Sequence, residues 1–149
     1  MSESQAEKQP GPRMIEIPTF ADARGTLSVL EWAGNLPFIP GRLYFIRGAP
    51  KNARRAGHAH WEESEAVWAI SGVFTLLTDD GCVRNEWHLD RPDRLLLIPP
   101  AVWHELYDFE PGAICAVLAS HRHSLKDYCS DHSQFLRIVG NHPPSNPLP

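Results

Sequence analysis

Between residues 14 and 119 the chain is written in short apolar runs cut apart by turn residues, and few folds accept that rhythm. Runs of strand length occupy residues 14–17, 26–32, 42–46, 66–70, 73–77, 82–89, 94–98, 102–109 and 113–119. Asp22-Ala23-Arg24-Gly25, the loop 34–40, Gly72, Asp79-Asp80-Gly81, residues 90–93 and Glu110-Pro111-Gly112 separate them. Glycine and aspartate supply the backbone freedom and local hydrogen bonds that tight turns need, and Asp-Gly between two apolar runs signals a hairpin. Helical periodicity is nearly absent before residue 124, so the spacing predicts an all-β sandwich or barrel. Residues 124–128 and 133–139 are expected as short C-terminal helices. A chain of 149 residues can bury one core without disulfide staples, so a single domain is expected over residues 14–139. Residues 1–13, polar and carrying Pro10, Gly11 and Pro12, are expected to be a disordered arm. Residues 140–149, with four prolines, are expected to be a loose tail.

The chemistry concentrates in two stretches. Residues 55–60 read Arg-Ala-Gly-His-Ala-His, and one intervening residue sets both imidazoles, His58 and His60, on the same face of an extended strand. A polar stretch able to turn the chain leads to Glu65, where an apolar strand begins and runs to Gly72. Pro99-Pro100-Ala101-Val102-Trp103-His104 then supplies a third histidine. Three histidines and one carboxylate form a common ligand set for iron, nickel, manganese or zinc with coordination positions left open. The same groups suit metal-free proton transfer, because an imidazole titrates near pH 6.5 and neighbouring charges tune it. The residues permit both chemistries.

Other features are read as background. His88, His132 and His142 have no such context and are expected on the surface, and His121-Arg122-His123 reads as a solvated segment. Trp61, Trp68 and Trp103 suit core or interface positions, although Trp61, next to the histidine pair, is also a candidate platform for a ligand. Arg42 and Tyr44 share one strand face, and Arg42, Arg54 and Arg55 near a barrel mouth would suit a diphosphate, whose oxygens match the guanidinium fork. A net charge of -4 excludes a large polyanionic partner, so no nucleic acid is expected. Cys82, Cys115 and Cys129 are scattered and odd in number, as in free thiols of a reducing compartment. With no apolar segment of signal-peptide or membrane-spanning length, a soluble cytoplasmic protein without membrane attachment is expected.

Gly-His-Ala-His, Glu65 and Gly72 match the first motif of a cupin, and residues 99–104 its second. The likeness reaches further. Asp22-Ala23-Arg24-Gly25, Arg42-Leu43-Tyr44-Phe45-Ile46, Arg55 with the histidine pair, Leu77-Thr78-Asp79-Asp80-Gly81, Pro100-Ala101-Val102-Trp103-His104-Glu105, Asp108-Phe109 and Val117-Leu118-Ala119-Ser120 resemble the nucleotide-sugar 3,4-ketoisomerases of the FdtA/WxcM-like group. The resemblance spans residues 14–138. It implies a small cupin barrel of the RmlC-like jelly-roll type, a homodimer with exchanged N-terminal strands, and a metal-free reaction on dTDP-4-keto-6-deoxyglucose. It also implies His58 as catalytic base, His60 assisting proton transfer, Arg55 holding substrate and Tyr44 as the active-site tyrosine. Trp61 and Glu65 stand where members of the group usually carry lysine and glutamine, and His121-Arg122-His123 replaces an acidic, tyrosine-rich segment.

The reaction so implied needs a base at C3, donors for an enediol oxyanion, and a proton returned at C4. His58, His60, Tyr44 and Arg55 are the catalytic candidates, and Arg42, Trp61 and His104 the substrate-binding ones. Two other readings stay open: a metal-dependent cupin enzyme, oxygenase or isomerase, holding a divalent transition metal on His58, His60, Glu65 and His104, and a non-catalytic nucleotide-sugar binding module.

Overall fold

The computed structural model describes residues 10–32 and 34–141. Its strands are β1 (Arg13–Glu16), β2 (Thr19–Asp22), β3 (Gly25–Ser28), β4 (Arg42–Arg47), β5 (Arg55–His60), β6 (Glu65–Ser71), β7 (Phe74–Asp79), β8 (Arg84–Leu89), β9 (Arg94–Ile98), β10 (Trp103–Tyr107), β11 (Ile114–Ala119) and β12 (Tyr128–Cys129). A 3-10 turn at Leu125–Asp127 precedes β12, and helix α1 (His132–Asn141) follows it. One five-stranded sheet runs β1-β9-β6-β11-β4 and a second runs β12-β5-β10-β7-β8. This is the double-sheet jelly roll of a cupin barrel.

Inward-facing side chains of both sheets make the main core. Val67, Phe74, Leu76, Leu96, Leu106, Cys115 and Val117 belong to it, and the Phe74 and Phe109 rings stack 5.4 Å apart. Covered outer faces explain why some strands read as unbroken apolar runs. Leu95 and Leu97 of β9 and Leu118 of β11 pack outside the first sheet against Ile17 and Leu36, so both faces of these strands demand apolar residues. On β4 the alternation survives, because Leu43 and Phe45 are exposed while Arg42, Tyr44 and Ile46 turn inward. Outside the second sheet, Ala59, Trp103, Cys129 and Phe135 form a third cluster beneath α1. Asp131 starts that helix by accepting from the Gln134 backbone N–H at 2.9 Å.

Several boundaries differ from the sequence expectation. Arg13 already pairs with Leu97, so the ladder begins within the segment expected as an arm, and α1 reaches Asn141, inside the expected tail. The rest of that arm and tail, residues 1–9 and 142–149 with His142, lies outside the described residues. The strand expected over residues 26–32 ends at Ser28 and pairs with β2, which the sequence reading left unassigned. These two strands form a separate hairpin sheet turning at Ala23-Arg24, with Phe20 opposite Leu27 and both exposed. The N-terminal strand β1 pairs with β9, from Arg13 opposite Leu97 to Glu16 opposite Arg94.

Candidate active site

Strand β5 carries the site, and a bulge shapes it. His104 of β10 faces His58, the next residue Glu105 faces Ala56, and Leu106 faces Arg55, so β5 holds one more residue than its partner here. Ala56 and Gly57 absorb the extra length at φ 62° and 70°. Plain alternation would put Arg55 and His58, three apart, on opposite faces. The bulge puts both on the inner one, where the Arg55 charge reaches the buried Cys115 thiol.

His58, His60 and His104 converge between the sheets. The His58 ring stands edge-on to His60 and to His104, each 4.9 Å away between centroids. Glu65, buried at the start of β6, ties the far side together. Its Oε2 lies 3.2 Å from His104 Nε2, its Oε1 lies 3.4 Å from His60 Nε2, and Tyr44 donates its hydroxyl to Oε1 at 3.2 Å. His104 Nδ1 faces the Val102 carbonyl at 3.2 Å. Burial alone would raise the Glu65 carboxyl, but the close polar contacts and charges of His104 and His60 hold it well below the usual carboxylate range. Burial, then the Glu65 charge, pushes the Tyr44 phenol up, so it remains a donor.

The two histidines of β5 differ in proton affinity. Burial and then the neighbouring His104 and His60 push His58 down to about 4. His60 is also opposed by burial, yet Glu65, Glu63 and Asp127 outweigh it and raise the ring above its ordinary value. Nδ1 of His60 lies 3.2 Å from Asp127 Oδ2, and Nε2 is 3.5 Å from Glu63 Oε1.

Of the expected residues, His58, His60, His104, Tyr44 and Glu65 are brought together, while Arg55 shares their face but is exposed. Arg42 also lies at this site, but its fork is already occupied: Nη2 and Nη1 meet the two oxygens of Glu63 at 3.0 and 3.2 Å, and Nη1 also donates to the His121 carbonyl. Two candidates point elsewhere. Trp61, one residue past His60 and so on the opposite face, packs on Phe135 in the cluster beneath α1 and not beside the histidines. Arg54 lies over the Tyr107 ring at 4.3 Å and 3.7 Å from Glu105, on the outer face of the sheet. His88 is exposed, whereas His132 bonds the buried Asp79 at 3.0 Å and is not a free surface group.

Three residues went unread in the sequence. Glu63 lay in the polar stretch expected to turn the chain but is buried. Asp127 contacts His60, and Tyr128 lays its ring 4.7 Å from His58 and 4.4 Å from His60. The short β12 brings both there by pairing Tyr128 with His60, and no local pattern announces a two-residue strand. His121 and His123 are exposed as expected, although the His123 ring contacts Tyr128.

For a metal, His58, His60 and His104 offer ligand nitrogens within 4.8 Å of one another. Glu65, the fourth ligand of the alternative set, has its oxygens turned to His60, His104 and Tyr44.

A jelly-roll barrel that gathers histidines from two neighbouring strands around a buried carboxylate is a cupin whose clustered groups suit proton transfer or metal binding. Residues 10–140 match the family model of FdtA, the WxcM-like C-terminal domain, and the chain belongs to that family. The TDP-4-oxo-6-deoxy-alpha-D-glucose-3,4-oxoisomerase of Aneurinibacillus thermoaerophilus is 32% identical over 127 residues, covering 85% of this chain and 91% of its own. A 3,4-ketoisomerase from Helicobacter canadensis has the same fold with a TM-score of 0.83 at 30% identity, covering 87% of this chain and 97% of its own. QdtA, a sugar 3,4-ketoisomerase from Thermoanaerobacterium thermosaccharolyticum in complex with TDP, gives 0.86 at 25% identity, with 89% and 97% covered.

Proposed function

We propose that this protein is a nucleotide-sugar 3,4-ketoisomerase acting on a dTDP-4-keto-6-deoxyhexose. The observation that carries the reading is the convergence of His58, His60 and His104 around the buried Glu65, in which the proton affinity of His58 is lowered and that of His60 raised, a pairing that separates a base from an acid. His58, neutral, takes the proton from C3, which the C4 ketone acidifies. The C3–H electron pair forms the C3–C4 double bond, and the carbonyl pair moves to O4. His60 and Arg55 stabilise that oxyanion, and a proton on O4 completes the enediol. Loss of the O3 proton and delivery of a proton to C4 give the 3-keto, 4-hydroxy sugar, with no net change in composition. Tyr44, His104 and Glu65 hold the donors in place. No redox cofactor is needed. The relative from Aneurinibacillus thermoaerophilus bears the name of this activity, and the family shared with it supports the substrate class.

The test is incubation of purified protein with dTDP-4-keto-6-deoxyglucose in deuterated water, followed by NMR. A 3-keto product with deuterium at C4 is expected, and absence of both exchange and product overturns the proposal. Saturable binding without turnover that survives His58→Ala would instead identify a binding module.

The second reading, a metal-dependent cupin, is favoured by the clustering of three imidazoles. Elemental analysis of untagged protein decides it: near-stoichiometric iron, manganese, nickel or zinc supports that reading. Less than about a tenth of an equivalent, with no gain on reconstitution, removes it.

We read the protein as a homodimer. A lone two-stranded hairpin is marginal in water, so β2-β3 with exposed Phe20 and Leu27 calls for an apolar partner surface such as Leu43 and Phe45 on β4 of a second copy. The hairpin, itself built of N-terminal strands, is then an exchanged element of the dimer, and Phe20→Asp should shift the protein towards monomer in sedimentation. No helix among the described residues is long and apolar enough to cross a membrane. The cytoplasm remains our reading of the compartment, from the free thiols Cys82, Cys115 and Cys129.

A further inference from the structure

Asp127 lies 67 positions from His60, and its carboxylate bonds to the end of β5 and to the turn that follows. Its Oδ1 accepts from the backbone N–H groups of Trp61 at 3.1 Å and Glu62 at 2.8 Å. Its Oδ2 accepts from Glu63 N at 3.2 Å and faces His60 Nδ1 at 3.2 Å. The Asp127 carbonyl also accepts from Trp61 N at 3.1 Å, and the β12 ladder begins at the next residue. The carboxylate is therefore fixed from several sides.

A carboxylate accepts hydrogen bonds and donates none, so the imidazole nitrogen facing it must carry a proton. On the other side of the ring, Nε2 is buried without a hydrogen-bond partner, with only the longer contacts to Glu65 and Glu63. We propose that Asp127 is a positioning residue that orients His60 and commits Nδ1 to a permanent proton, leaving Nε2 as the nitrogen that exchanges protons during the isomerisation. The inference rests on the proposed ketoisomerase reaction for its catalytic meaning. The ring tautomer it requires can be measured without any substrate.

Asp127→Asn retains the shape and a carbonyl acceptor for the backbone amides, but it can present an amide N–H to Nδ1. Long-range proton–nitrogen correlation of the His60 ring, at alkaline pH where the imidazole is neutral, should find the proton on Nδ1 in the wild type. In Asp127→Asn the population should move towards Nε2–H. The variant should lose on the order of ten- to a hundred-fold in kcat, with KM within about twofold, as when a partner orienting a functional histidine is removed. A wild-type ring protonated at Nε2, or a folded variant with unchanged tautomer and kcat, overturns the proposal, because a carboxylate that merely closes the 61–63 turn would move only the melting temperature. Should Asp127→Asn not fold, the wild-type tautomer decides alone. If the wild type turns over no keto sugar, the ketoisomerase reading fails while the tautomer still tests the positioning role.

Discussion

The rings of His58 and His60 stand edge to face with 4.9 Å between centroids, yet the proton affinity of His58 is lowered and that of His60 is raised. Both are drawn from water. The difference lies in company: His58 neighbours two other imidazoles, while His60 faces Glu65, Glu63 and Asp127. On the proposed reaction, this contrast fits His58 to act as the base and His60 as the acid over a common pH interval.

That interval sets the pH dependence of kcat. Protonation of His58 removes the base as pH falls through about 4. Loss of the His60 proton removes the acid as pH rises through its raised value, above the ordinary imidazole value of about 6.5. A bell-shaped profile with a plateau between these limbs is expected, and its apparent values belong to the coupled pair. His60→Gln should abolish the alkaline limb while leaving the acid limb in place.

His58→Ala should lower solvent-deuterium exchange and turnover together, by on the order of 10²–10⁴-fold, the usual contribution of a positioned general base. Binding of TDP, followed by calorimetry, should survive. Exchange at the wild-type rate would transfer the base role to another group.

Glu65→Gln removes the charge that meets His60, His104 and Tyr44 in a buried site, and on the scale of broken buried pairs it should cost about 3–5 kcal/mol at neutral pH. The folded-state value of Glu65 is depressed, so its stabilisation is present above the unfolded value of about 4.3 and fades as pH falls towards the folded one. Urea unfolding at pH 7 and at pH 3 should therefore show a smaller gap between wild type and variant under acid. A gap that widens would contradict this.

Gly72→Ala tests the turn between β6 and β7. The residue sits at φ 68°, and an added Cβ would stand 2.7 Å from the Ala113 backbone. Left-handed strain of about 1–2 kcal/mol and a clash of about 1–3 kcal/mol should lower the melting temperature sharply. Gly48→Ala, with φ 69° but open space around it, should cost only the strain.

Much of the barrel was legible because strand rhythm is local. Turn residues bound nearly every run of residues 42–119, and Asp79-Asp80-Gly81 lies between β7 and β8. The histidine pair was legible for the same reason, since positions two apart share a face. The same parity places Trp61 opposite His60, and the sequence reading overrode it in favour of proximity along the chain. The β2-β3 hairpin was harder to see, being short and exposed on both sides, with no buried face to impose alternation.

By itself, then, the sequence determined the strand rhythm, the shared face of His58 and His60, and the family motifs that include Glu65 and His104, because each is written in neighbouring residues. Only the tertiary structure decided that Arg55 joins His58, through a bulge whose effect depends on the register against β10. Only it decided that Arg42 is bound by Glu63, and that Asp127 and Tyr128 close on the histidines. These are contacts between distant positions, and their energies come from burial and hydrogen bonding across strands, which no local spacing encodes.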